Sequence, residues 1–344
     1  MLKKGLLFLA GLILCSKLYA QDPQYSQFYA APLFLNPAFT GSAKNLRATM
    51  NYRNQWPSLS ANFTTASFSA DYYLDRFRSG VGLLVTTDNQ FSNLKTTDIG
   101  ATYAYHLKIN EGLAVNMGLQ GSYVTRSVDF YNLTFGDQLT SRGPNGLPSF
   151  DPIASLGPTI KYVDFSGGLL VYGESFWAGA SVHHINQPNQ SLTGGAAPLP
   201  MKISVQAGYK IPLGDYELGN GTGDEWNKEK SISPAILYKK QGPYDQLDVG
   251  LYLTYSPIVV GLWYRGLPIK KYQDGVNNHD ALVFLLGYRQ DNFAVGYSYD
   301  ATISSLGAAS GGSHEISLTY TFDINQDRKP SHRQNKKELS CPKF

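Results

Sequence analysis

The chain has 344 residues, a length that fits two domains of ordinary size or one large all-β barrel. Only 16% of the residues are charged, below the roughly 25% of an average soluble domain, while Gly, Tyr and Phe are numerous. Outside the N-terminal residues, no apolar run approaches the roughly 20 residues that a membrane-spanning helix needs, which excludes a helical transporter. Recurring aromatic and β-branched residues also argue against a disordered chain.

Residues 1–20 have the pattern of a secretory signal peptide, with a basic start, an apolar run and a small residue, Ala20, at the end. We expect cleavage after Ala20. Cys15 leaves open a lipoprotein alternative, although the residue before it is bulkier than the one that usually precedes a lipid-modified cysteine. Cleavage after Ala20 would leave Cys341 as the only cysteine, so no intramolecular disulfide could form.

Alternation of apolar with small or polar residues continues from residue 46 to residue 322, with the two-residue period of a β-strand. The polar faces consist of Gly, Ser, Thr, Asn and Gln, whereas a soluble sandwich would expose many Lys and Glu. This pattern predicts an all-β fold, a transmembrane antiparallel β-barrel of the bacterial outer membrane. The fourteen predicted strands are 46–55, 62–73, 79–88, 96–108, 112–125, 159–172, 174–185, 201–211, 232–240, 245–256, 258–266, 281–290, 292–301 and 313–322.

The connections support this interpretation, because outer-membrane barrels have short periplasmic turns and long outer loops. A periplasmic start gives both termini a periplasmic location and alternates short turns with long loops. The segment 212–231 breaks the rule, which indicates either an insertion facing the periplasm or an error in the strand count. The short turns are 109–111, 172–174, 256–257 and 290–292, and the long loops are 126–158, 186–200, 267–280 and 302–312.

An interior of fourteen strands is too wide for side chains alone to fill, so something must occupy or traverse it. Residues 21–45 are interpreted as an ordered N-terminal segment that enters the barrel or lines its periplasmic mouth, with a strap on the surface as the alternative. Asn36-Pro37 and Trp56-Pro57 mark the beginnings or ends of extended segments, because proline removes a donor and restricts the residue before it.

Basic residues concentrate at the C-terminus. Removing residues 1–20 takes away three lysines and no acid and leaves a nearly neutral chain, in which residues 326–344 carry a net charge of +4. The barrel, 46–322, therefore has no basic field for nucleic acid. The periplasmic tail, 323–344, is interpreted as a solvated terminus, with an arm that meets an acidic periplasmic partner as the alternative.

No motif points to catalysis, a metal or a cofactor. His183 and His184 are adjacent in a predicted strand, so their side chains should face opposite sides and form no common site. The same geometry applies to His314 and Glu315. No Ser–His–acid spacing stands out, the histidines have no zinc-ligand spacing, and the glycine-rich stretch 219–223 lacks the lysine of a phosphate loop.

Several stretches are more specific than a generic barrel, and they keep one order along the chain. Together they resemble the PorP/SprF family of the Bacteroidetes type IX secretion system, over essentially the whole chain after residue 20. The segment 212–231 is longer than the family pattern. The stretches are 21–29, 35–41, 51–57, 186–191, 296–300, 312–318 and 341–344.

The resemblance implies a non-enzymatic outer-membrane barrel that supports export or surface anchoring of secreted proteins, such as adhesins with C-terminal sorting domains. It implies secreted substrates, a periplasmic peptidoglycan-binding lipoprotein and other secretion components as partners, besides the lipid bilayer. A passive porin or hydrophobic-substrate channel and a barrel hydrolase stay open as alternatives, which ion conduction and ester turnover would reveal. The candidate partner-binding or family-motif residues are Asn36, Pro37, Arg53, Trp56, Asn186, Gln187, Pro188, Asn189, His314, Glu315 and Cys341.

Overall fold

The computed structural model describes residues 21–322 except residues 61, 92, 130–132, 153–158, 214–228, 269, 271–277 and 305–306. The expected signal peptide, the basic tail with Cys341 and most of the 212–231 connection lie outside the described residues. Within the described residues, no helix has the length and apolar character needed to cross a bilayer.

In the described part of the chain, fourteen antiparallel strands of eight or more residues form one closed barrel, as the sequence predicts. A two-residue strand, Ile211–Pro212, adds to the same sheet, and two more, Leu139–Thr140 and Gly143–Pro144, pair with each other in a loop. Each strand pairs with its neighbours in sequence, and the last strand closes the ring on the first, from Leu46↔Phe322 to Gln55↔Ser313. The strands are β1 (Leu46–Gln55), β2 (Phe63–Leu74), β3 (Ser79–Gln90), β4 (Leu94–Asn110), β5 (Leu113–Val128), β6 (Thr159–Tyr172), β7 (Phe176–His183), β8 (Lys202–Tyr209), β9 (Lys230–Gln241), β10 (Tyr244–Tyr255), β11 (Ile258–Gly266), β12 (His279–Gln290), β13 (Phe293–Thr302) and β14 (Ser313–Phe322).

The two faces of each strand have different environments. In β14, Glu315 and Ser317 are buried inside the barrel, while Ile316, Leu318 and Tyr320 are exposed on its outer surface. Exposed apolar side chains recur in this way around the wall. Because ring closure pairs the backbone groups of neighbouring strands, such a wall can lie in lipid.

Connections of different length lie at the two ends of the barrel. We call these the tight-turn end and the loop end. The 210–229 connection joins β8 to β9 at the tight-turn end, and β8 and β9 pair directly, from Lys202↔Gln241 to Gly208↔Ala235, so the predicted strand count is confirmed there. The tight-turn end has the connections 75–78, 111–112, 173–175, 210–229, 256–257 and 291–292, and the loop end has 56–62, 91–93, 129–158, 184–201, 242–243, 267–278 and 303–312.

Residues 21–45, which we call the lumen segment, lie inside the closed wall. Gln27 accepts a hydrogen bond from Ser317 of β14, while Asn36 donates to the carbonyl of Leu169 in β6, nearly opposite in the ring. The segment contains three one-turn helices, the 3₁₀ helices Phe28–Ala30 and Pro37–Phe39 and the α-helix Pro32–Leu35.

The lumen segment runs the height of the barrel. Near its start, Asp22 forms a salt bridge with Lys202, the first residue of β8, at the loop end. Its other end continues into β1 at the tight-turn end. The chain therefore passes through the lumen before it forms the first strand of the wall.

Candidate functional site

A buried network of charges holds the first half of the lumen segment. The carboxylate of Glu315 accepts hydrogen bonds from the backbone N–H groups of Ser26 at 2.7 Å and Gln27 at 2.9 Å. Arg53 donates to the Ser26 hydroxyl at 2.7 Å, to Glu315 at 3.3 Å and to Asp300 at 2.8 Å. The network thus ties the segment to β1, β13 and β14 at once.

Arg265 extends this network to β10 and β11. Its guanidinium donates to Asp248 Oδ1, Asp300 Oδ2 and Ser26 Oγ, each at 2.8 Å. Two arginines and three carboxylates are thereby buried together. Charges out of water are stable only when they are paired and hydrogen-bonded, so the Ser26 hydroxyl occupies a fixed place among them. The arginine–carboxylate network consists of Arg53, Arg265, Asp248, Asp300 and Glu315.

Asn36 and Pro37 lie in the second half of the lumen segment. The fully buried Asn36 side chain donates to the carbonyls of Leu169 and Ala180, both at 3.1 Å, and accepts from the N–H of Ala38 at 2.9 Å. Asn36 therefore caps the turn that Pro37 begins and joins it to β6 and β7.

Three glycines of the wall lie in close contact with this half of the segment, and we call them the glycine face. A Cβ at Gly168 would lie 1.9 Å from Asn36 Oδ1, one at Gly118 would lie 2.2 Å from the backbone nitrogen of Ala38, and one at Gly80 would lie 2.2 Å from the carbonyl oxygen of Thr40. At Gly118 and Gly80 two backbones approach as closely as only glycine allows, and at Gly168 the wall makes room for the Asn36 side chain. The wall is therefore shaped to this part of its own chain.

Aromatic rings complete the contact between the segment and the wall. The Phe28 ring centroid lies 4.9 Å from that of Trp263, and the Tyr29 ring lies 5.7 Å from that of Trp177. The indole N–H of Trp177 also donates to the Tyr29 hydroxyl at 3.1 Å. Edge-to-face pairs of this kind add to the apolar burial of the rings.

A cavity of about 690 Å³, which we call the vestibule, lies at the loop end above the lumen segment. Its lining includes the start of the segment and several charged side chains of the wall. Lys202 pairs with Asp22 at 2.8 Å and Lys270 pairs with Asp245 at 2.7 Å. The vestibule has the size of an ordinary ligand pocket, a few hundred to about 1,000 Å³, and its lining combines apolar and aromatic side chains with charged ones.

The prediction that His183 and His184 face opposite sides is wrong. β7 ends at His183, and His184 has a φ of 58°, outside the strand conformation. His183 Nε2 lies 3.4 Å from the Leu35 carbonyl oxygen, and His184 Nε2 lies 2.7 Å from Asp22 Oδ2, so both rings contact the lumen segment. The alternation of side chains holds only within a strand, and the predicted strand extended two residues too far.

His184 lies between two carboxylates. Its Nδ1 is 2.8 Å from Asp164 Oδ2, opposite the contact with Asp22. Burial lowers the pKa of His184, but the two carboxylates outweigh this effect and raise its pKa to about 9. Within the described residues, no group of three or more His, Cys, Asp or Glu side chains is arranged to hold a metal ion.

Asn186 forms hydrogen bonds to the part of β6 that lies beyond the end of β7. Its side-chain oxygen accepts from the Phe165 N–H at 3.1 Å, and its amide nitrogen donates to the Val163 carbonyl at 2.7 Å. The N–H of Ile185 donates to the Phe165 carbonyl at 3.0 Å. One side-chain amide therefore makes the two hydrogen bonds that a neighbouring peptide group would make.

The rest of this motif shapes the 184–201 loop. Gln187 has a positive φ of 44° and donates its N–H to the His184 carbonyl. Pro188 is buried, and its carbonyl accepts from Leu199, while the Asn189 side chain accepts from backbone groups farther along the loop. The contacts of these residues are within the loop and fix its conformation.

The remaining predicted residues lie apart. Trp56 has a φ of 58°, donates its N–H to the Gly312 carbonyl and packs its ring 5.5 Å from that of Phe63. His314 lies on the outer face, 2.8 Å from the Tyr297 hydroxyl, whereas Glu315 lies inside. Cys341 is outside the described residues.

The structure thus brings Arg53 and Glu315 together in one network, and none of the other candidates among the described residues forms an ion pair with that network. The sequence did not indicate the other members of the network, Asp248, Arg265 and Asp300. It also did not indicate that the Ser26 hydroxyl is hydrogen-bonded to Arg265 and Asp300. The signal that could have found them is charge at alternating positions inside a membrane strand, which is costly unless it is paired.

The family described as "Type IX secretion system membrane protein PorP/SprF" matches residues 17–320 of the chain. No curated protein matches this chain. Among solved structures, the Acinetobacter baumannii outer membrane protein Omp33 is similar, with 11% identity, a TM-score of 0.42 and coverage of 81% of this chain and 98% of that one. A Pseudomonas aeruginosa FadL homologue is similar with 12% identity, a TM-score of 0.43 and coverage of 85% and 94%.

Proposed function

This chain belongs to the PorP/SprF family of type IX secretion system membrane proteins, and we propose that it is a non-enzymatic outer-membrane barrel that supports export or surface anchoring of secreted proteins by binding protein partners. The observation that carries the proposal is the occupied lumen. A segment of the chain itself crosses the interior and is fixed there by the arginine–carboxylate network and the glycine face.

An interior held in this way suits a binding component better than a passive channel. A porin keeps its lumen open to water, whereas here the wall is built to receive residues 21–45. The loop end, with its vestibule and long loops, supplies the surface for the exported protein, which we call the passenger.

Partners on the other side would meet the tight-turn end. The lumen segment joins β1 there, β14 ends there, and the long 210–229 connection lies there as well. We assign this end to the periplasm, together with the basic tail, which would contact an acidic surface of a peptidoglycan-binding lipoprotein or another secretion component.

The proposal is tested by purifying the tagged protein from its native cells in mild detergent and quantifying co-purifying proteins by mass spectrometry. We expect one secreted protein and one periplasmic lipoprotein in near-stoichiometric amounts. An unrelated barrel with the same tag serves as the control. If neither class is enriched and the purified barrel conducts ions in planar bilayers like an open porin, the channel alternative is correct.

The role of the tail needs a separate variant. We expect deletion of residues 326–344 to reduce the recovered lipoprotein while leaving the heat-modifiable gel mobility of the barrel unchanged. Unchanged recovery would show that the tail is only a solvated terminus.

A further inference from the structure

Strand β6 extends beyond its neighbour β7. On one side it pairs with β5 along its whole length, from Ala114↔Tyr172 to Ser127↔Thr159. On the other side it pairs with β7 only from Gly167↔Val182 to Tyr172↔Trp177. Within the described residues, no strand pairs with residues 159–166 on that side, so the upper part of β6 is a sheet edge at the loop end.

The lower part of this edge is covered. Asn186 and Ile185 satisfy both backbone groups of Phe165 and the carbonyl of Val163. Because Val163 and Phe165 are exposed apolar residues of the outer face, this cover lies where the wall is in lipid and unpaired groups are costly.

The upper part of the edge lies above the apolar belt. Successive rows of outward side chains across β4, β5 and β6 change from apolar to polar toward the loop end. The belt therefore ends at Val163, and Lys161 and Thr159 lie on the water side. The rows are Ile99–Tyr123–Val163, then Thr97–Thr125–Lys161, then Lys95–Ser127–Thr159.

The backbone groups of this upper part point toward the open side. Alternate residues of an antiparallel strand direct both their N–H and their C=O to the same neighbour. Phe165 directs both groups to the open side, so Val163 and Lys161 do so too. Among the described residues, the N–H of Val163 and both backbone groups of Lys161 meet no protein partner.

We propose that this edge is a strand-addition site: an extended segment of the passenger pairs with residues 159–163 and continues the sheet above Asn186. The identity of the partner rests on the proposed function. A row of unpaired backbone donors and acceptors specifies an extended polypeptide, because it offers main-chain hydrogen bonds at the strand spacing. The Asn186 amide already occupies the next peptide position in this register.

The outward residues of β6 determine which side chains suit the outer face of the added strand. Beside Val163 it presents an apolar residue to the outer face, and beside Lys161 and Thr159 it presents polar or acidic residues. An exported protein that emerges on the loop-end side can reach this edge from water without entering the bilayer.

The test compares two substitutions at one residue. Lys161→Pro removes an N–H on the open side and leaves the ladder to β5 intact, since proline is tolerated at edges. Lys161→Thr removes the charge but keeps the N–H. In native cells we expect the Pro variant to retain about tenfold less passenger, and the Thr variant to differ from the parent less than about twofold.

Each outcome decides the inference. If the parent and Lys161→Pro retain the passenger equally, strand addition is wrong and the proposed function stands. Equal loss in both variants indicates a side-chain contact, and strand addition is again wrong. If the parent itself retains no secreted protein, the proposed function fails and the inference fails with it.

A second measurement covers the case in which Lys161→Pro loses heat-modifiable mobility. Hydrogen exchange of the Lys161 and Val163 amides is compared in the purified parent with and without its passenger. Slower exchange only in the complex supports strand addition, and unchanged exchange overturns it. Protection in passenger-free protein that migrates as a dimer would assign the edge to a second copy of the chain and overturn the proposal.

Discussion

The two halves of the lumen segment are held by different physical means. Ser26 and Gln27 are held by charge, in hydrogen bonds to a network that is almost completely out of water. The part around Asn36 is held by shape, because wall glycines let its backbone approach to distances that any Cβ would prevent. The first contact should therefore be sensitive to loss of charge, and the second to added volume.

The largest effect is expected from Asp300→Asn. Asp300 Oδ2 accepts from Arg53, Arg265 and Ser26, so the neutral amide leaves two buried arginines with too few acceptors. We expect the free energy of unfolding to fall by about 3–5 kcal/mol, measured by urea unfolding in detergent with heat-modifiable mobility as the readout.

The matched control is Asp245→Asn. Asp245 pairs at the rim with Lys270, whose side chain is 55% exposed. We expect a change of about 0–1 kcal/mol there. Equal losses in the two variants would contradict the assignment of the network as the anchor.

A smaller effect is expected from Gly118→Ala on the other half of the segment. The new methyl group would lie 2.2 Å from the Ala38 nitrogen, and backbone atoms cannot move aside as a flexible side chain can. We expect a loss of about 3 kcal/mol, in the upper part of the usual range for overpacking. Gly121→Ala on the same strand is the control, because its methyl group would meet only the Phe165 ring at 3.6 Å. A lumen segment that is not fixed would make the two variants alike.

Asn186 extends the comparison from the lumen to the rim. Asn186→Ala leaves the Val163 carbonyl and the Phe165 N–H unpaired beside lipid, and we expect a loss of about 2 kcal/mol. Asn189→Ala, which removes hydrogen bonds only within the exposed loop, should cost less than about 1 kcal/mol. The same unfolding measurement compares the two, and equal costs would mean that Asn186 does not seal the edge.

A separate effect is a dependence on pH. His184 faces Asp22 and Asp164, with Lys202 and His183 nearby. Burial opposes its charge, but the carboxylates raise its pKa from 6.5 to about 9. A raised pKa in the folded state gives stability that is complete below pH 6.5 and is lost as the pH rises through about 9.

The comparison variant for this effect is His184→Gln. We expect the parent to lose about 3 kcal/mol more stability than this variant between pH 6 and pH 10. Parallel curves for the two proteins would show that the His184 contacts contribute nothing through charge.

The wall was predictable because its signal is local. Each of the fourteen strands was found from the alternation of its own residues, and the connection lengths ordered them. The error at His184 has the same origin, since a local pattern does not show where a strand ends.

The contacts inside the lumen were harder to predict from the sequence, for a different reason. Ser26 and Glu315 are 289 residues apart, and no local pattern reports which interior residue meets which part of the segment. Arg53 and Glu315 were selected through the family resemblance, but their common role required the register of β1 and β14. Gly118 and Gly168 looked like ordinary small residues of a polar face, and only the approach of the segment explains why a methyl group is excluded.

The course of the lumen segment also sets the order in which this protein can assemble. Residues 21–45 are synthesised before every strand, and they run from one mouth of the barrel to the other before β1 begins. Once the seam between β1 and β14 has formed, they could enter only by threading through a finished ring. We therefore predict that the wall wraps around this segment during assembly, and that a peptide of residues 21–45 added after closure does not rescue a barrel that was made without them.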